Sequence, residues 1–412
     1  MSKLKELIRE LCPDGVEYKT LAELFNTRNG YTPSKSKPEF WVNGTVPWFR
    51  MEDIRENGRI LSKATQYVTE NALKGTPFPA NSIIVATSAT IGEHALITVP
   101  SLANQRFTYL VLKEKYASMF DSKFLYYYCF KLDSYCKECL NQGNFASVDM
   151  KKLVKFEFPL VPLPVQREIV RILDKFTERT AALIAALTAE LTARKKQYEF
   201  YRDKLLTISN EQVAMCNLGD ICESIADGDH MPPPKADTGI PFITISNITE
   251  QNKIDFSNTM FVPHAYYDAL AEKRKPQKGD VLYTVVGSYG IPVCIEEDSE
   301  FVFQRHIAIL RPKKQIVKPR YMFHAMQSSA FKAQADKTAK GVAQKTIGLA
   351  ALAAMKLPVP SLDVQSRIVN VLDNFDAICS DLKIGLPAEI EARKKQYEFY
   401  REKLLAFHEI SN

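Results

Sequence analysis

The sequence predicts an α+β protein in which one module occurs twice and each copy is followed by a long helix. Two nearly identical helical segments indicate the repeat, matching segments lie a constant distance apart, and similar short strands and glycine turns precede both helices. Repetition at a fixed offset is the signature of a duplicated architecture, so these observations decide the fold class before any single residue is considered.

The clearest repeat is a fourteen-residue segment rich in lysine and tyrosine. It begins at Ala193 as ARKKQYEFYRDKLL and at Ala392, 199 residues later, as ARKKQYEFYREKLL, with Asp203 against Glu402 as the single difference. Upstream, VQREIVRILDKF begins at Val165 and VQSRIVNVLDNF at Val364, again 199 residues apart. The two segments match without an insertion, which predicts two corresponding helices.

Apolar residues in both segments follow the three-and-four spacing of one helix face. The stripe consists of Ile169, Ile172, Phe176, Leu183, Leu187, Leu191, Tyr198, Tyr201 and Leu205 in the first copy, and of Ile368, Val371, Phe375, Leu382, Leu386, Ile390, Tyr397, Tyr400 and Leu404 in the second. A near-heptad stripe is buried most simply against another helix, so we expect the two helices to bury their stripes against each other. The alternative is two unrelated amphipathic helices, each docked on its own domain.

The second helix contains a sequence that should interrupt it, and the first helix lacks this sequence. It has Gly385-Leu386-Pro387 where the first helix has Ala186-Leu187-Thr188. Proline inside a helix removes a backbone hydrogen bond and clashes with the preceding turn, which predicts a kink or break near Gly385. Alternatively, Pro387 opens a second helical segment as its first residue.

The region before each helix indicates a compact α+β module of about 140 residues. Runs of β-branched residues at 81–87 and 280–286 alternate with glycine and proline turns, and each copy has a helical stretch, at 122–140 and 319–335. The pair Gln105-Arg106 recurs 199 residues later as Gln304-Arg305. We expect a first module at residues 1–160, its helix at 161–208, a second module at 209–358 and its helix at 359–412.

Four short motifs occur in this order in the two copies: a glycine-proline loop (Gly-x-x-Pro in the first copy, Gly-x-x-x-Pro in the second), an Ile/Val-Pro-aromatic strand, a proline-rich turn (VPLPVQ; VPSLDVQ) and an Ile-Val-x-x-Leu-Asp helix start. The second glycine loop (DGDHMPPPK) is longer and richer in proline than the first. With these motifs the chain resembles, over nearly its whole length, the specificity subunit of type I restriction–modification enzymes.

The resemblance implies two target-recognition domains joined and spaced by two long antiparallel coiled-coil helices, with each domain reading one half of a bipartite DNA site. It also implies that the chain has no catalytic activity of its own. Its helices would bind two DNA-adenine methyltransferase (modification) subunits and help to recruit restriction and translocase subunits. S-adenosylmethionine, ATP and Mg are then expected only on those partners. A stand-alone methyltransferase system with the same specificity logic is an alternative.

Candidate DNA-binding residues are polar side chains of the loops that differ between the modules, since Lys and Arg contact phosphates and Arg, Lys, Asn, Gln and Ser reach base edges. In the first module these are Arg28, Asn29, Tyr31, Lys35, Lys37, Arg50, Ser88, Thr90, Gln142 and Asn144. In the second they are Asp229, His230, Lys235, Ser246, Asn247, Ser288, Tyr289, Lys340, Gln344 and Lys345. For any one of them, ordinary surface polarity is the alternative. The differing loops predict two different half-sites and a target that is not palindromic.

The recurring pairs Gln105-Arg106 and Gln304-Arg305 are interpreted differently from the loops. Residues that are shared by modules reading different bases cannot select those bases. We therefore assign the two pairs a role in the frame of the module or on a phosphate.

The lysine- and tyrosine-rich blocks are candidates for binding a partner. Tyr198, Tyr201, Tyr397 and Tyr400 continue the apolar stripe, so most of them should be buried between helices. Lys195, Lys196, Phe200, Lys394, Lys395 and Phe399 point elsewhere on the helix. Because the two blocks are almost identical, the same partner is expected on both. The alternative is that they serve helix packing alone.

Composition limits the class of protein without deciding it. Of the residues, 46% are hydrophobic and 25% charged, the N-terminus is charged from its third residue, and the formal net charge is +6. This charge permits nucleic-acid binding without arguing strongly for it. Eight scattered cysteines in a chain of 412 residues indicate reduced thiols, and hence a cytoplasmic protein, rather than a disulfide framework.

An enzyme and a purely structural protein are the rival classes. The chain has no G-x-x-x-x-G-K-[ST] loop, and its triple proline, Pro232 to Pro234, lacks the Asn/Asp and aromatic neighbours of an adenine methyltransferase loop. Cys136 and Cys139 form a CxxC without a second ligand pair, and Asp14 and Glu17 are too close in sequence for a nuclease metal site. A coiled-coil protein-interaction scaffold would share the helices but does not need two dissimilar modules on one frame.

Overall fold

The computed structural model describes residues 2–141, 146–207, 213–228, 232–249, 251–341, 344–380 and 385–410. The chain divides into two compact units, the first formed by residues 1–183 and 393–412 and the second by residues 184–392. Each unit contains one module, the beginning of the long helix that follows it, and the end of the other long helix. Within the described ranges, no helix is both long and apolar enough to cross a membrane.

The module of the first unit is built on two sheets and a short ladder. Its strands are β1 (Tyr18–Thr20), β2 (Phe25–Asn29), β3 (Val46–Phe49), β4 (Ile60–Leu61), β5 (Tyr67–Val68), β6 (Ser82–Ala86), β7 (His94–Ile97), β8 (Leu102–Ala103), β9 (Phe107–Leu112) and β10 (Glu157–Pro159). β2, β9, β6, β7 and β4 lie side by side in that order, β5, β3 and β8 form the second sheet, and β1 pairs with β10.

The apolar run of β6 is buried at every position because both faces of its sheet are covered. Ile83 and Val85 pack into one core cluster, while Ile84 and Ala86 pack into another on the opposite face. The helices of this unit are α1 (Ser2–Leu11), α2 (Leu21–Leu24), α3 (Met51–Asn57), α4 (Ser122–Glu138), α5 (Met150–Leu153) and the first part of α6 (Leu163–Leu206). α4 packs against β7 and begins where the Asp121 carboxylate accepts hydrogen bonds from the amides of Lys123 and Phe124.

The module of the second unit repeats this plan. Its strands are β11 (Ala214–Asn217), β12 (Cys222–Asp227), β13 (Ile240–Ile243), β14 (Met260–Val262), β15 (Val281–Thr284), β16 (Pro292–Cys294), β17 (Val302–Phe303), β18 (Ile307–Pro312) and β19 (Lys356–Val359). Its helices are α7 (Leu218–Ile221), α8 (His264–Asp268), α9 (Pro319–Met326), α10 (Ser329–Thr338) and α11 (Leu349–Ala353). β12, β18, β15 and β16 form one sheet, β14, β13 and β17 another, and β11 pairs with β19.

The second long helical region is interrupted, as the sequence predicts. It consists of α12 (Leu362–Ser380) and α13 (Leu386–Leu404), whereas α6 is one continuous helix of 44 residues. Pro387 is the second residue of α13, a position at which its missing N–H removes no intrahelical hydrogen bond. The expected break near Gly385 is therefore confirmed.

A buried glutamine fixes the start of each long helix to its module. Gln166 accepts a hydrogen bond from the Asp121 amide (2.8 Å) and donates to the carbonyls of Met119 (2.8 Å) and Val161 (2.6 Å). Gln365, its counterpart in the second copy, makes the same three kinds of bond to Lys318, Ile316 and Pro360. Both side chains are fully buried, so the Val-Gln motif is a structural fastening between helix and module.

The two helical regions meet in antiparallel fashion within each unit. In the first unit, Phe176 at the beginning of α6 stacks on Tyr397 at the end of α13, with ring centroids 5.6 Å apart. In the second, Phe375 of α12 stacks on Tyr201 at the end of α6, also at 5.6 Å. The predicted fold class is confirmed.

Several positions of the predicted apolar stripe differ from expectation. Leu183 and Val371 are each 42% exposed, and the neighbouring Leu372 is fully buried instead. Tyr198 is buried, but Tyr201 and Tyr400 are 37% and 41% exposed. The Tyr201 ring stacks on Phe375 and the Tyr400 ring meets Phe176 edge to face, so the facing helix covers each tyrosine only in part. The expectation that most of the four tyrosines are buried is therefore wrong. Leu382 lies outside the described residues.

Candidate nucleic-acid interface

In the first module, two of the loops that were nominated from sequence, the glycine loop and the segment after β6, meet at the turn between β8 and β9. The Gly30 amide donates to the Phe107 carbonyl (2.9 Å) and the Tyr31 amide to the Ala103 carbonyl (2.8 Å), which joins the glycine loop to this turn. The Thr87 amide, after β6, donates to the Arg106 carbonyl (2.9 Å). We call residues 104–106 the first central turn.

The second module brings together the corresponding loops. The Gly228 amide donates to the Ile307 carbonyl (3.3 Å), and the Val285 amide to the His306 carbonyl (2.8 Å). The Gly287 amide, beyond the end of β15, donates to the Lys345 carbonyl (3.0 Å), which adds Lys345 to the same surface. Residues 304–306 form the second central turn.

A glycine permits the close approach in both modules. A Cβ atom on Gly30 would lie 2.3 Å from the Ala103 carbonyl oxygen, and one on Gly228 would lie 1.9 Å from the Phe303 carbonyl oxygen. Both distances are far below van der Waals contact with rigid backbone. The glycine-centred loops of the sequence are therefore the points at which each loop closes on the central turn.

The sequence offset places Gln105-Arg106 and Gln304-Arg305 at equivalent positions, but the strand register does not. The Asn104 amide donates to Phe49 at the end of β3, and the Gln304 amide donates to Ile243 at the end of β13. The Phe107 amide donates to the Asn104 carbonyl (3.1 Å), and the Ile307 amide to the Gln304 carbonyl (2.9 Å). Asn104 therefore corresponds to Gln304, and the matching pairs are one residue out of step.

The interpretation of the two Gln-Arg pairs as a shared element is consequently wrong. At equivalent backbone positions, the first turn has Asn104, Gln105 and Arg106, and the second has Gln304, Arg305 and His306. What the modules share is the backbone of the turn, and its side chains differ.

Several nominated residues of the first module are anchored within it. The guanidinium of Arg28 donates to the Lys74 carbonyl (3.1 Å) and lies over the Phe78 ring. The side-chain oxygen of Asn29 accepts from the Thr108 hydroxyl (2.8 Å). The hydroxyl of Tyr31 accepts from the Lys74 amide (2.6 Å), and the Lys74 ammonium lies over the Tyr31 ring. Lys74 belongs to this surface and was missed, because no motif connects it to the glycine loop.

Other candidates of the first module are more available to a ligand. Lys35 and Lys37 are exposed, and Ser88 and Thr90 lie in the partly buried segment after β6. The guanidinium of Arg50 lies over the Trp48 ring, and its buried Nε has no hydrogen-bond partner among the described residues. Gln142 and Asn144 lie outside the described residues, as do Asp229 and His230 of the second module.

In the second module, Asn247 is the nominated residue least suited to contact a base. Its side chain is buried, its oxygen accepts from the amide (2.9 Å) and the hydroxyl (2.8 Å) of Thr244, and its nitrogen donates to the carbonyls of Asp255 and Asn258. These four bonds use the full capacity of an asparagine amide. Asp53 has the corresponding role in the first module, where it accepts from the Arg50 amide and from Thr65.

The remaining candidates of the second module lie at or near the surface. Ser246 shares a hydrogen bond with the Thr244 hydroxyl (2.7 Å), and the Tyr289 hydroxyl donates to Asp336 (2.8 Å). The side chains of these two residues are therefore partly committed. The other candidates have exposed side chains, and no side-chain hydrogen bond to the described residues is observed for them: Lys235, Ser288, Lys340, Gln344 and Lys345.

The second central turn lies between two clefts. One, of about 360 Å³, is lined by the Pro232–Lys235 side of the glycine loop, by Phe242 and Thr244, and by all three turn residues. The other, of about 440 Å³, is lined by Arg305, His306, Gln344 and neighbouring residues. Burial lowers the pKa of His306, and the positive charge of Arg305 lowers it further. The His306 ring is therefore neutral at neutral pH and has one nitrogen that donates and one that accepts.

The partner-binding candidates of the tyrosine-rich blocks form two similar exposed surfaces. Phe200 and Phe399 are each 60% exposed. Each meets the following tyrosine edge to face, with ring centroids 5.4 Å apart in both blocks. The four nominated lysines around them, Lys195, Lys196, Lys394 and Lys395, are also exposed.

The fold and this surface define a class of protein. Two α+β modules share a backbone framework and carry different polar side chains on the same loops, and each module is held on long paired helices. Such a chain presents two different recognition surfaces from one scaffold.

The chain belongs to the family of the type I restriction modification DNA specificity domain, whose model matches residues 13–193 and 210–392. It is 41% identical to the type I restriction enzyme EcoprrI specificity subunit of Escherichia coli over 93% of each chain. It is 33% identical to the EcoR124I/EcoR124II specificity subunit of Escherichia coli over 69% of this chain and 70% of that one. The resemblance that the motifs indicated is confirmed, and the chain provides the DNA sequence specificity of a type I restriction–modification system.

Solved structures have the same fold. A chain of a type I R-M system, solved to explain complex assembly and conformational transition, superposes with a TM-score of 0.68 at 16% identity, over 95% of this chain and 98% of that one. The crystal structure of the HsdS subunit from Thermoanaerobacter tengcongensis gives a TM-score of 0.52 at 16% identity, over 96% of each chain.

Proposed function

We propose that this chain reads a bipartite, asymmetric DNA site, with one module on each half, and thereby directs adenine methylation and cleavage by partner subunits. The observation that carries the proposal is the pair of central turns, where an equivalent backbone presents Asn104, Gln105 and Arg106 in one module and Gln304, Arg305 and His306 in the other. Two modules with the same backbone framework and different polar side chains are suited to two half-sites of different sequence.

The modules in this proposal are residues 1–160 and 209–358, and the helices at 161–208 and 359–412 connect and space them. Neither module has a phosphate-binding loop or an adenine methyltransferase motif in its sequence. The chain is accordingly a non-catalytic subunit. S-adenosylmethionine, ATP and Mg bind to its partners.

Two modification subunits dock on the surfaces around Phe200 and Phe399. Aromatic rings and arginine are enriched at protein interfaces, and tyrosine and arginine are among the residues that carry most of the binding energy there. The equal exposure of the two rings and the near identity of the surrounding sequence favour the same partner on each. Restriction and translocase subunits then join the assembly through the modification subunits and the helices.

The test is DNA binding by the complex of this chain with its methyltransferase partner, measured on random duplex and on duplex containing the methylated site. A protein that makes six to ten phosphate contacts loses roughly 10³- to 10⁵-fold in affinity between about 50 mM and 200 mM salt. We expect this salt dependence on both duplexes and tighter binding to the duplex with the site. Binding that is absent or insensitive to salt would instead favour a protein-interaction scaffold.

A matched pair of variants tests the docking surfaces. Replacing Phe200 by Ala and, separately, Phe399 by Ala should each remove one methyltransferase subunit, and the double variant both, because each ring is the centre of its exposed surface. The masses of the purified complexes report this directly. Two subunits retained in the double variant would contradict the assignment.

A further inference from the structure

The two central turns occupy the same place in their modules, which the hydrogen bonds of the strands on either side establish. Ala86 of β6 lies opposite Phe107, and Thr284 of β15 lies opposite Ile307. On the other side, Phe49 of β3 lies opposite Ala103, and Ile243 of β13 lies opposite Phe303. Each turn therefore begins and ends at equivalent residues, and its three positions can be compared one by one.

The backbone, rather than the side chains, holds most of each turn in place. The amide of the first turn residue and the carbonyls of the first and third bond to neighbouring strands in both modules. In the first turn, the Asn104 side chain also accepts from the Arg106 amide (3.0 Å), and the Gln105 side-chain oxygen accepts from the Thr32 hydroxyl (2.5 Å). The second and third side chains can therefore differ without disturbing the frame.

The side chains at the second and third positions retain unused hydrogen-bond donors. The Gln105 amide nitrogen and the Arg106 guanidinium bond to none of the described residues, and neither does the Arg305 guanidinium. Gln105, Arg106 and Arg305 are exposed, and His306 is half-buried between the two clefts. Guanidinium and amide groups are among those that recognise base edges in the major groove, and a neutral imidazole likewise offers one donor and one acceptor.

We propose that the central turn is the specificity-determining element of each module, with Gln105 and Arg106 contacting bases of one half-site and Arg305 and His306 contacting bases of the other. The proposal rests on the function proposed above, since it names the residues through which each module reads its half-site. Because the two arginines occupy different positions of the turn, they contact different base pairs relative to the frame of each module.

The direct test grafts the first turn onto the second module. Gln304→Asn, Arg305→Gln and His306→Arg are introduced together, the variant is co-expressed with the methyltransferase partner, and methylated adenines are mapped in the genomic DNA of the expression host. We expect the half-site read by the second module to change at one or two base pairs, with the other half unchanged. An unchanged site, or a change in the half read by the first module, would overturn the proposal.

Single substitutions keep the proposal testable if the graft impairs folding. Arg305→Ala and Arg106→Ala should each relax one base pair of a different half-site, with a loss of discrimination of roughly 5- to 150-fold there. Lys314→Ala is the matched control, because it removes a positive charge at the opposite end of β18, about 20 Å from the turn. A uniform loss of methylation at every site, without relaxation at any base pair, would show that the arginines bind phosphate and would overturn the proposal.

Exchange of residues 213–357 for the module of another specificity subunit separates this proposal from the one it rests on. If the exchange changes one half-site while the turn variants change nothing, the turn is not the reading element and the modules still are. If the exchange itself leaves the site unchanged, the modules do not read the halves, and both proposals are wrong.

Discussion

The two ends of the long helical regions have almost the same sequence and meet different modules, and the comparison shows what a duplicated scaffold keeps and what it adapts. We call residues 194–206 the first tip and residues 393–405 the second tip. The first tip packs in the unit of the second module, and the second tip packs in the unit of the first module. Each module therefore receives the helix end that belongs to the other copy.

At the junction of the first tip, a buried histidine joins the tip to the module. His324 is fully buried, its Nε2 donates to Asp373 (2.7 Å), and its Nδ1 accepts from the Tyr198 hydroxyl (2.9 Å). Arg320 donates to the same Asp373 (2.8 Å) and to Asp376 (3.0 Å). This network connects α6, α9 and α12 through polar groups that are all paired.

The junction of the second tip has the same plan with different groups. Asp174 corresponds to Asp373, and it accepts from the Tyr127 hydroxyl (2.8 Å) and the Lys123 ammonium (2.7 Å). The Tyr397 hydroxyl bonds to the Thr177 hydroxyl (2.7 Å) in a more exposed setting. The aspartate of the helix start is common to both junctions, whereas the first has an ionisable histidine where the second has a tyrosine.

The largest predicted effect on stability concerns a buried leucine that both junctions share. Leu173 and Leu372 hold corresponding positions in the two helix starts, and both are fully buried in the core of their unit. Leu173→Ala and Leu372→Ala should each lower the free energy of unfolding by about 2–5 kcal/mol, through lost burial and the cavity that remains. Urea unfolding of the full chain measures both. A loss in this range for one variant and little or none for the other would show that the two cores are not equivalent.

Removal of the hydroxyl group from each tip tyrosine should lower the free energy of unfolding by a smaller amount, and by different amounts at the two junctions. Tyr198→Phe leaves the buried Nδ1 of His324 without its donor, which costs about 1–3 kcal/mol. Tyr397→Phe removes a bond between exposed hydroxyls and should cost less than about 0.5 kcal/mol. The same unfolding measurement compares the two, and each variant serves as the control for the other. Equal losses would contradict the asymmetry of the two junctions.

The pH dependence of stability should also differ between the junctions. Burial lowers the pKa of His324, and the charge of Arg320 lowers it further, while Asp373 and Asp376 act in the opposite direction. The unfolded chain therefore binds more protons below about pH 6.5, and the free energy of unfolding falls as the pH decreases from there. The slope for one histidine is at most about 1.4 kcal/mol per pH unit.

His94, buried in the first module, also has a lowered pKa and therefore contributes a pH dependence of the same sign. The variant His324→Leu removes only the contribution of His324, so the two histidines can be told apart. The variant should have a smaller slope between about pH 5 and 6.5 than the unaltered chain, whatever its overall loss of stability. An unchanged slope would mean that His324 is not held neutral in the folded protein.

The smallest effect concerns the single difference between the tips. The carboxylate of Asp203 accepts from the amide (3.1 Å) and the hydroxyl (2.5 Å) of Ser329 at the start of α10, a helix start that the continuous α4 of the first module lacks. Asp203→Glu should displace this carboxylate and cost about 0.5 kcal/mol, as expected for a charge at a helix N-terminus. Glu402→Asp should change little. Thermal unfolding of both variants tests this prediction. A larger loss of stability in Glu402→Asp than in Asp203→Glu would contradict it.

The sequence predicted most of what depends on local periodicity. The two helices, the break before α13 and the duplicated modules all follow from spacing, proline position and repetition. The glycine loops were found because a close backbone approach requires glycine at Gly30 and Gly228, whatever the surrounding residues are.

The central turns could not be predicted, because the offset between the modules changes from strand to strand. Phe49 corresponds to Ile243, Ala86 to Thr284 and Phe107 to Ile307, so the offset differs at each of these strands. An identical dipeptide at the offset of the helices therefore appeared equivalent when it was not. Strand register depends on hydrogen bonds between distant segments, and no single sequence displays them. The partial exposure of Tyr201 and Tyr400 could not be predicted for a similar reason, since it depends on the facing helix.

Mapping of methylated adenines after exchange of one module tests the central claim most directly. Residues 213–357 would be replaced by the corresponding module of another specificity subunit, with both tips and the residues Gln166 and Gln365 left unchanged, and the complex would be co-expressed with its methyltransferase partner. The account predicts a methylated site with one half replaced and the other half retained. A site altered in both halves, or in neither, would contradict the claim that each module reads its own half.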